Sequence, residues 1–271
     1  MPELPEVETT RRGIEPSLRG RRILALEVRD RRLRWPLPRG LERRVAGLRI
    51  LGVRRRAKYI LIDSEGGTLI VHLGMSGSLR VVAAGTALRL HDHFDLALDS
   101  GRCLRFNDPR RFGSLHWVTG DPTSHPLLAA LGPEPLGPEF DGDYLWKRAR
   151  GRRVAIKLFI MNAHMVVGVG NIYASEALFR AGIRPGTQAR RVSRERMQAL
   201  AAAIREVLSE AIEVGGTTLR DYVHPDGTPG YFRQKLYVYE RAGEPCRRCR
   251  TPIRHYVQGQ RSTYFCPTCQ R

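Results

Sequence analysis

The cysteines constrain this chain more than any other feature. Four of the five fall near its end as Cys246-Arg-Arg-Cys249, sixteen intervening residues, then Cys266-Pro-Thr-Cys269. Two CxxC knuckles at that separation supply four thiolates to one tetrahedral Zn²⁺ and leave no open coordination position, so such a site is structural. A redox pair or disulfides are the alternatives, and the doubled knuckle favours a single zinc ion. Between the knuckles, Gln258-Gly-Gln-Arg261-Ser-Thr-Tyr264 reads as a β-hairpin with Arg261 near its tip, where a guanidinium meets either solvent or a phosphate. Cys103 lies alone in a strand-like run and reads as an inert core thiol.

A zinc tail beginning near residue 236 cannot organise 271 residues, and that length implies two further modules. With 46 basic against 27 acidic residues the formal charge is +19, which calls for a polyanionic partner. No run approaches the ~18 apolar residues of a membrane helix, and there is no signal-peptide core, so a cytoplasmic protein is expected. Without a polybasic amphipathic helix or lipidation motif, nucleic acid is preferred to a membrane surface. The basic residues are almost all Arg, which makes Lys58, Lys147, Lys157 and Lys235 stand out.

Periodicity divides the chain. Leu4, Val7, Arg11, Ile14 and Leu18 recur at helical spacing, and Pro5 suits a first helical turn. Period-two runs follow at 23–28, 48–53, 59–63, 68–73 and 79–82, and 93–98 and 102–106 flank the hairpin signal Asp99-Ser-Gly101. Strands this short and frequent predict an all-β sandwich or barrel over residues 1–118. Residues 119–143, rich in Pro, Gly and Asp, read as a linker. Helical spacing then predicts a segment ending near Met165, a helix from Ile172 to about Ala181, and a long one from Ser193 to about Val214 with Ser193 as N-cap. The polar stretch 217–233 reads as a functional loop. The expected parts are thus 1–118, the linker 119–143, a helical unit over 144–235 and the zinc tail 236–271.

Several short motifs could carry chemistry. Removal of Met1 would leave Pro2 with a secondary amine, and an α-amino group has a pKa near ~8, so a useful fraction is an unprotonated nucleophile at neutral pH. Glu3 beside it could donate a proton. Taken alone, Pro-Glu-Leu-Pro-Glu favours helix-start chemistry over a catalytic terminus. Gly168-Val-Gly-Asn171 opens a helix whose free amides could face a phosphate, or is simply a tight turn. His72-Leu-Gly-Met75-Ser-Gly and Asn107-Asp-Pro-Arg110-Arg-Phe112-Gly are turns with bulky residues at exposed positions. Such wedges fill gaps in a base stack, although core packing accounts for each singly. His91 and His93 could be strand histidines without a role.

Taken together, these residues resemble the formamidopyrimidine-DNA glycosylases, bacterial base-excision enzymes for oxidised purines. The matching stretches run in one order: Pro2 to Thr10, Arg54 to Tyr59, His72 to Leu79, Asn107 to Gly113, Val166 to Glu176, Gly215 to Gly230 and the zinc tail. The resemblance implies an α+β multidomain fold: an N-terminal β-sandwich with an N-terminal helix, a helix–two-turns–helix module and a C-terminal four-cysteine zinc-finger β-hairpin, with one structural Zn²⁺ per chain. It implies a monomer acting on oxidised bases in double-stranded DNA, with Pro2 as Schiff-base nucleophile, Glu3 as proton donor, Lys58 for β-elimination and Arg261 for δ-elimination. His91, Arg110 and Arg152 match DNA-binding positions. Asn171 with Lys58 and Arg261 would clamp the lesion's phosphates, and Met75, Arg110 and Phe112 would fill the space left by the extruded base. Lys157 matches a lysine near the lesion, and 217–224 the loop over the flipped base. Where relatives carry Asp, then Gln or Asn, then Lys before the glycine turn, this chain reads Met161-Asn-Ala-His164. Two competing readings remain: an endonuclease VIII-like enzyme for oxidised pyrimidines, and a non-catalytic zinc-ribbon DNA-binding protein.

Overall fold

A computed structural model describes residues 2–216 and 236–271 of the chain. The expected loop 217–233, including its 217–224 part, lies outside the described residues, as does Met1. The chain divides into two compact units: residues up to Ala129 with Gly215 and Gly216, and residues 130–214 with 236–271.

The first unit opens with helix α1 (Leu4–Leu18), whose Leu4, Val7, Ile14 and Leu18 are buried. Its start is fixed by a capping box in which the Glu6 carboxylate accepts the Glu3 amide at 2.9 Å. Strand β1 (Ile23–Val28), the short helix α2 (Leu41–Val45), and strands β2 (Ile50–Arg56), β3 (Tyr59–Ser64), β4 (Gly67–His72), β5 (Ser78–Ala83), β6 (Asp92–Leu98), β7 (Arg102–Asn107) and β8 (Ser114–Val118) follow. They form two antiparallel four-stranded sheets, ordered β1-β6-β7-β5 and β2-β3-β4-β8. Apolar residues from both sheets, among them Leu26, Ile60, Ile62, Leu69, Val71, Phe94, Leu96 and Phe106, join Val7, Ile14 and Leu18 of α1 in one core. This is the sandwich alternative of the sequence reading. Each strand holds one side toward that core, so a one-residue slip of register would turn its apolar residues outward.

Beyond β8 the stretch read as a linker contains a turn of 3-10 helix at Pro122–Ser124, capped by Asp121, and the one-turn helix α3 (Pro126–Ala129). Both are too short for periodicity to reveal.

The second unit holds α4 (Gly142–Ala149), α5 (Ile156–Met161), α6 (Asn171–Arg180) and α7 (Arg194–Glu213), followed by the hairpin β9 (Arg254–Gln258) and β10 (Arg261–Phe265). The segment expected to run as one helix to Met165 is two, because Gly151 takes φ +74° between them. Ser193 caps α7 by accepting the Arg196 amide, as its sequence suggested. A small apolar cluster of Phe179, Val238 and Ile253 surrounds Cys246 and Cys266. Among the described residues, no helix is long and apolar enough to cross a membrane.

Candidate active site and metal centre

In the first unit the expected catalytic start is buried: Pro2 is enclosed and Glu3 is 3% exposed at the N-cap of α1. The capping box fixes the backbone that directly follows Pro2. Lys58 is half-buried in the two-residue turn between β2 and β3, where Arg56 pairs with Tyr59 and Ala57 adopts φ +54°. Electrostatically it belongs with His72. Burial, then the charges of Lys58, Arg34 and His116, push the His72 imidazole down to about 4. A neutral ring fits its bonding, because His72 Nδ1 accepts the Gly74 amide at 3.0 Å.

The Met75 turn and the Arg110–Phe112 turn are joined. Asp108, fully buried, accepts the Ser76 hydroxyl at 2.7 Å and the Gly113 amide at 2.8 Å, while Arg110 N–H approaches both Ser76 Oγ and Asp108 Oδ1 at 3.3 Å. Backbone meets backbone here. A Cβ on Gly74, at φ +66°, would lie 2.4 Å from the Gly113 nitrogen, and one on Gly113 would lie 2.9 Å from the His72 carbonyl. Only glycine lets the turns approach this closely. The Arg110 guanidinium stacks over the 44%-exposed Phe112 ring at 5.1 Å, so these two members of the expected trio form one exposed pair.

His91 also sits on a braced loop. It takes φ +70°, and its carbonyl accepts the Asp108 amide at 3.1 Å. Arg105 donates to the carbonyls of Thr86 and Ala87 at 3.1 Å while gripping Asp95 through Nε and Nη2. His93, by contrast, is 1% exposed and its Nε2 donates to the Asp108 carbonyl at 2.8 Å, which makes it a structural histidine.

In the second unit Arg261 is exposed at the head of β10, after a two-residue turn with both Gly259 and Gln260 at positive φ. Two side chains from the helices hold this hairpin. Asn171 Nδ2 donates to the Ser262 carbonyl at 3.0 Å, and its other contact, to the Tyr239 hydroxyl, is long at 3.5 Å. Lys157, the expected lesion-side lysine, is fully buried, and its ammonium donates to Ser262 O and Thr263 Oγ1, each at 2.8 Å, so its charge supports the strand bearing Arg261. Arg152 is exposed at the turn after α4. The departure Met161-Asn-Ala-His164 forms the end of α5 and its turn: Asn162 Oδ1 accepts the His164 amide at 3.0 Å, and His164 Nδ1 pairs with Ala130 O at 2.7 Å.

Glu176 carries a role that the sequence reading misses. Buried on α6, its carboxylate accepts the amides of Tyr237, Val238 and Tyr239 at 2.8–2.9 Å. Burial pushes this carboxyl up, and the three amides with Arg180 pull against it. A buried acid in mid-helix is the available signal, but no spacing rule points from it to residues some sixty positions later.

The four expected zinc ligands converge. All four Sγ atoms lie within 4.8 Å of one another, with Cys249–Cys266 at 3.4 Å and Cys246–Cys269 at 3.9 Å. Four sulfurs at ~2.3 Å from a tetrahedral Zn²⁺ stand about 3.8 Å apart, whereas a disulfide would need ~2.05 Å. The amides of Arg248 and Cys269 point at Cys246 and Cys266 sulfurs at 3.4 Å, as donors to thiolates. Burial and neighbouring sulfurs push the Cys266 and Cys269 thiols up, a crowding that a dication relieves. The residues fit one structural zinc ion.

The first unit is thus a β-sandwich opened by a capped helix, and the second a helical unit ending in a four-cysteine hairpin. Sequence profiles agree part by part: "Formamidopyrimidine-DNA glycosylase N-terminal domain" matches residues 1–115, "Formamidopyrimidine-DNA glycosylase H2TH domain" 131–223, and "Zinc finger found in FPG and IleRS" 243–271. The formamidopyrimidine-DNA glycosylase of Thioalkalivibrio sulfidiphilus is 62% identical over 271 residues, covering both chains fully. The crystal structure of the MutM (Fpg) protein of Thermus thermophilus superposes with a TM-score of 0.89 at 42% identity, over 99% of this chain and 98% of that one. Lactococcus lactis Fpg in complex with abasic-site DNA gives 0.92 at 32% identity, with both chains fully covered. The chain belongs to the formamidopyrimidine-DNA glycosylase family.

Proposed function

We propose that this enzyme is a bifunctional glycosylase and AP lyase that excises oxidised purines, namely 8-oxoguanine and formamidopyrimidines, from duplex DNA. Once Met1 is removed, the Pro2 nitrogen attacks C1′ of the lesion nucleotide. The glycosidic bond breaks and the base leaves with a proton. Loss of the amine proton and opening of the C1′–O4′ bond, with Glu3 protonating O4′, leave an iminium cation. Its charge acidifies the C2′ hydrogen, so successive β- and δ-elimination expel the 3′- and then the 5′-phosphate. Lys58 assists the first elimination. Arg261 stabilises phosphate in the second. His91, Arg110, Arg152 and Asn171 bind DNA, and Met75, Arg110 and Phe112 replace the extruded base.

The observation that carries this reading is the buried, hydrogen-bonded Pro2-Glu3 start, since a rigid capped terminus orients a nucleophile and its acid for one carbon. Relatives support the substrate class: a Lactococcus lactis Fpg variant has been crystallised with Fapy-dG-containing DNA. The test is borohydride trapping on an 8-oxoguanine:C duplex, with mass mapping of the adduct and a thymine glycol:A duplex alongside. An adduct on Pro2, abolished by Pro2→Gly, with faster nicking of the purine lesion is expected. Undiminished trapping by the variant, or preference for thymine glycol, would overturn the reading.

A further inference from the structure

We infer that Arg55 is a positioning residue that ties the helix carrying Pro2 and Glu3 to the turn carrying Lys58. The inference deepens the reading above and rests on the roles given there to Pro2 and Lys58. Arg55 lies on β2 with its side chain only 11% exposed, and its guanidinium reaches both α1 and the β2–β3 turn. Nε donates to Glu8 Oε2 on α1 at 3.1 Å, and Nη1 donates to the Ala57 carbonyl at 2.8 Å.

Both ends of this link are stiff. Glu8 also accepts Arg11 Nη2 at 2.9 Å and Arg12 Nε at 2.9 Å, so its position on the helix is fixed by three guanidinium groups. Burial pushes its carboxyl up, but those arginines outweigh burial and hold it below the usual range, so the anchor stays charged. At the other end Ala57 occupies the left-handed region, which a residue with a Cβ adopts only when something holds it there. Its carbonyl is the group that Arg55 grips, and Lys58 follows directly.

Hairpin stability does not require this arrangement. The β2–β3 ladder pairs Arg55 with Ile60 through the backbone, and the neighbouring Arg54 already makes a cross-strand ion pair with Asp63. The Arg55 side chain instead fixes how the amine that forms the iminium stands relative to the ammonium that assists elimination. A forked guanidinium serves two acceptors in fixed directions, which an ammonium does not.

Single-turnover assays on an 8-oxoguanine:C duplex test this by comparing Schiff-base formation, read by borohydride trapping, with strand scission. In Arg55→Ala, duplex affinity should stay near wild type while scission slows roughly 10- to 100-fold more than trapping. The trapped fraction should rise as iminium accumulates. Arg55→Lys should recover part of the ratio, and Glu8→Gln should shift it in the same direction by less. Should Arg55→Ala not fold by circular dichroism, the Glu8→Gln ratio decides. Base release and scission falling in parallel, or an unchanged ratio, overturns the role of Arg55 while the wild-type adduct still maps to Pro2. A wild-type adduct elsewhere overturns both readings.

Discussion

The buried carboxylate of Asp108 accepts the hydroxyl of Ser76 at 2.7 Å across 32 positions of sequence. Through Asp108 Oδ2 and the Gly113 amide the same side chain closes its own turn, so one acid holds Met75, Arg110 and Phe112 on a common base. Asp108→Ala strands a hydroxyl and two amides, and should cost about 2–4 kcal/mol in urea unfolding. Ser76→Ala removes that bond and a long one from the Arg110 amide, and should cost about 1 kcal/mol. Both variants should release 8-oxoguanine more slowly in single turnover. A wild-type unfolding midpoint for Asp108→Ala would show that the two turns are held by something else.

Glu176 does comparable work in the second unit, where three consecutive amides converge on its carboxylate. Glutamine keeps the shape but places an NH2 against amide donors. Glu176→Gln should therefore destabilise the protein by about 2–4 kcal/mol and speed hydrogen exchange at Tyr237, Val238 and Tyr239. Exchange unchanged at those amides would contradict the anchor.

His72 gives stability a defined pH dependence. Its pKa is about 4 in the folded protein against 6.5 unfolded, because of burial and then the Lys58, Arg34 and His116 charges. Between those values the unfolded chain binds more protons, so stability is full above pH ~6.5 and falls as pH drops toward ~4. The loss attributable to this group, reduced for its partial solvent access, is about 1–2 kcal/mol. Protonation would also displace the Gly74 amide from Nδ1 and loosen the Met75 turn. His116 and His125 titrate with the same sign, both held down chiefly by burial, so the check is a difference. Urea midpoints of His72→Asn should show a shallower slope than wild type over that window, and an identical slope would remove His72 from it.

Lys157 separates support from contact. Lys157→Met preserves the aliphatic stem but takes its donor from Thr263 Oγ1 and leaves Ser262 O to the Asn171 amide. It should cost about 1–3 kcal/mol and slow scission more than it weakens duplex binding. If instead duplex affinity fell and stability held, the lysine would be a direct DNA contact.

The parts that sequence revealed are those encoded locally. Alternation along 59–63 and 68–73 shows β3 and β4, Ser193 announces α7, and four cysteines at fixed spacing announce a metal site before any fold is known. Family likeness then implied the roles proposed for Pro2, Lys58 and Arg261. What stayed hidden depends on partners distant in sequence. Nothing local says that Asp108 meets Ser76, that Glu176 meets Tyr237, or that Lys157 turns inward, and an arginine in a run of three gave no sign that Arg55 faces Glu8. The same blindness hid the break between α4 and α5, which shows only in the positive φ of Gly151.

Zinc is what makes the Arg261 hairpin a fixed tool. The two strands are short, exposed on much of their surface, and joined by a two-residue turn, and an isolated hairpin of that kind is marginal in water. Four thiolates on one ion contribute an apparent ~10–16 kcal/mol to such modules at neutral pH, far more than the bonds from Lys157 and Asn171. The native protein should carry one zinc per chain by metal analysis. Chelation, or Cys249→Ser, should release the metal and the protection of β9 and β10 amides while leaving the β-sandwich amides protected. Strand scission should fall in step with zinc content. With Arg261 in the role proposed for it at the second elimination, partly depleted protein should stop at the β-elimination product more often than the native enzyme does. A metal-free Cys249→Ser protein that completes both eliminations at the native rate would mean that the hairpin holds its shape without the ion.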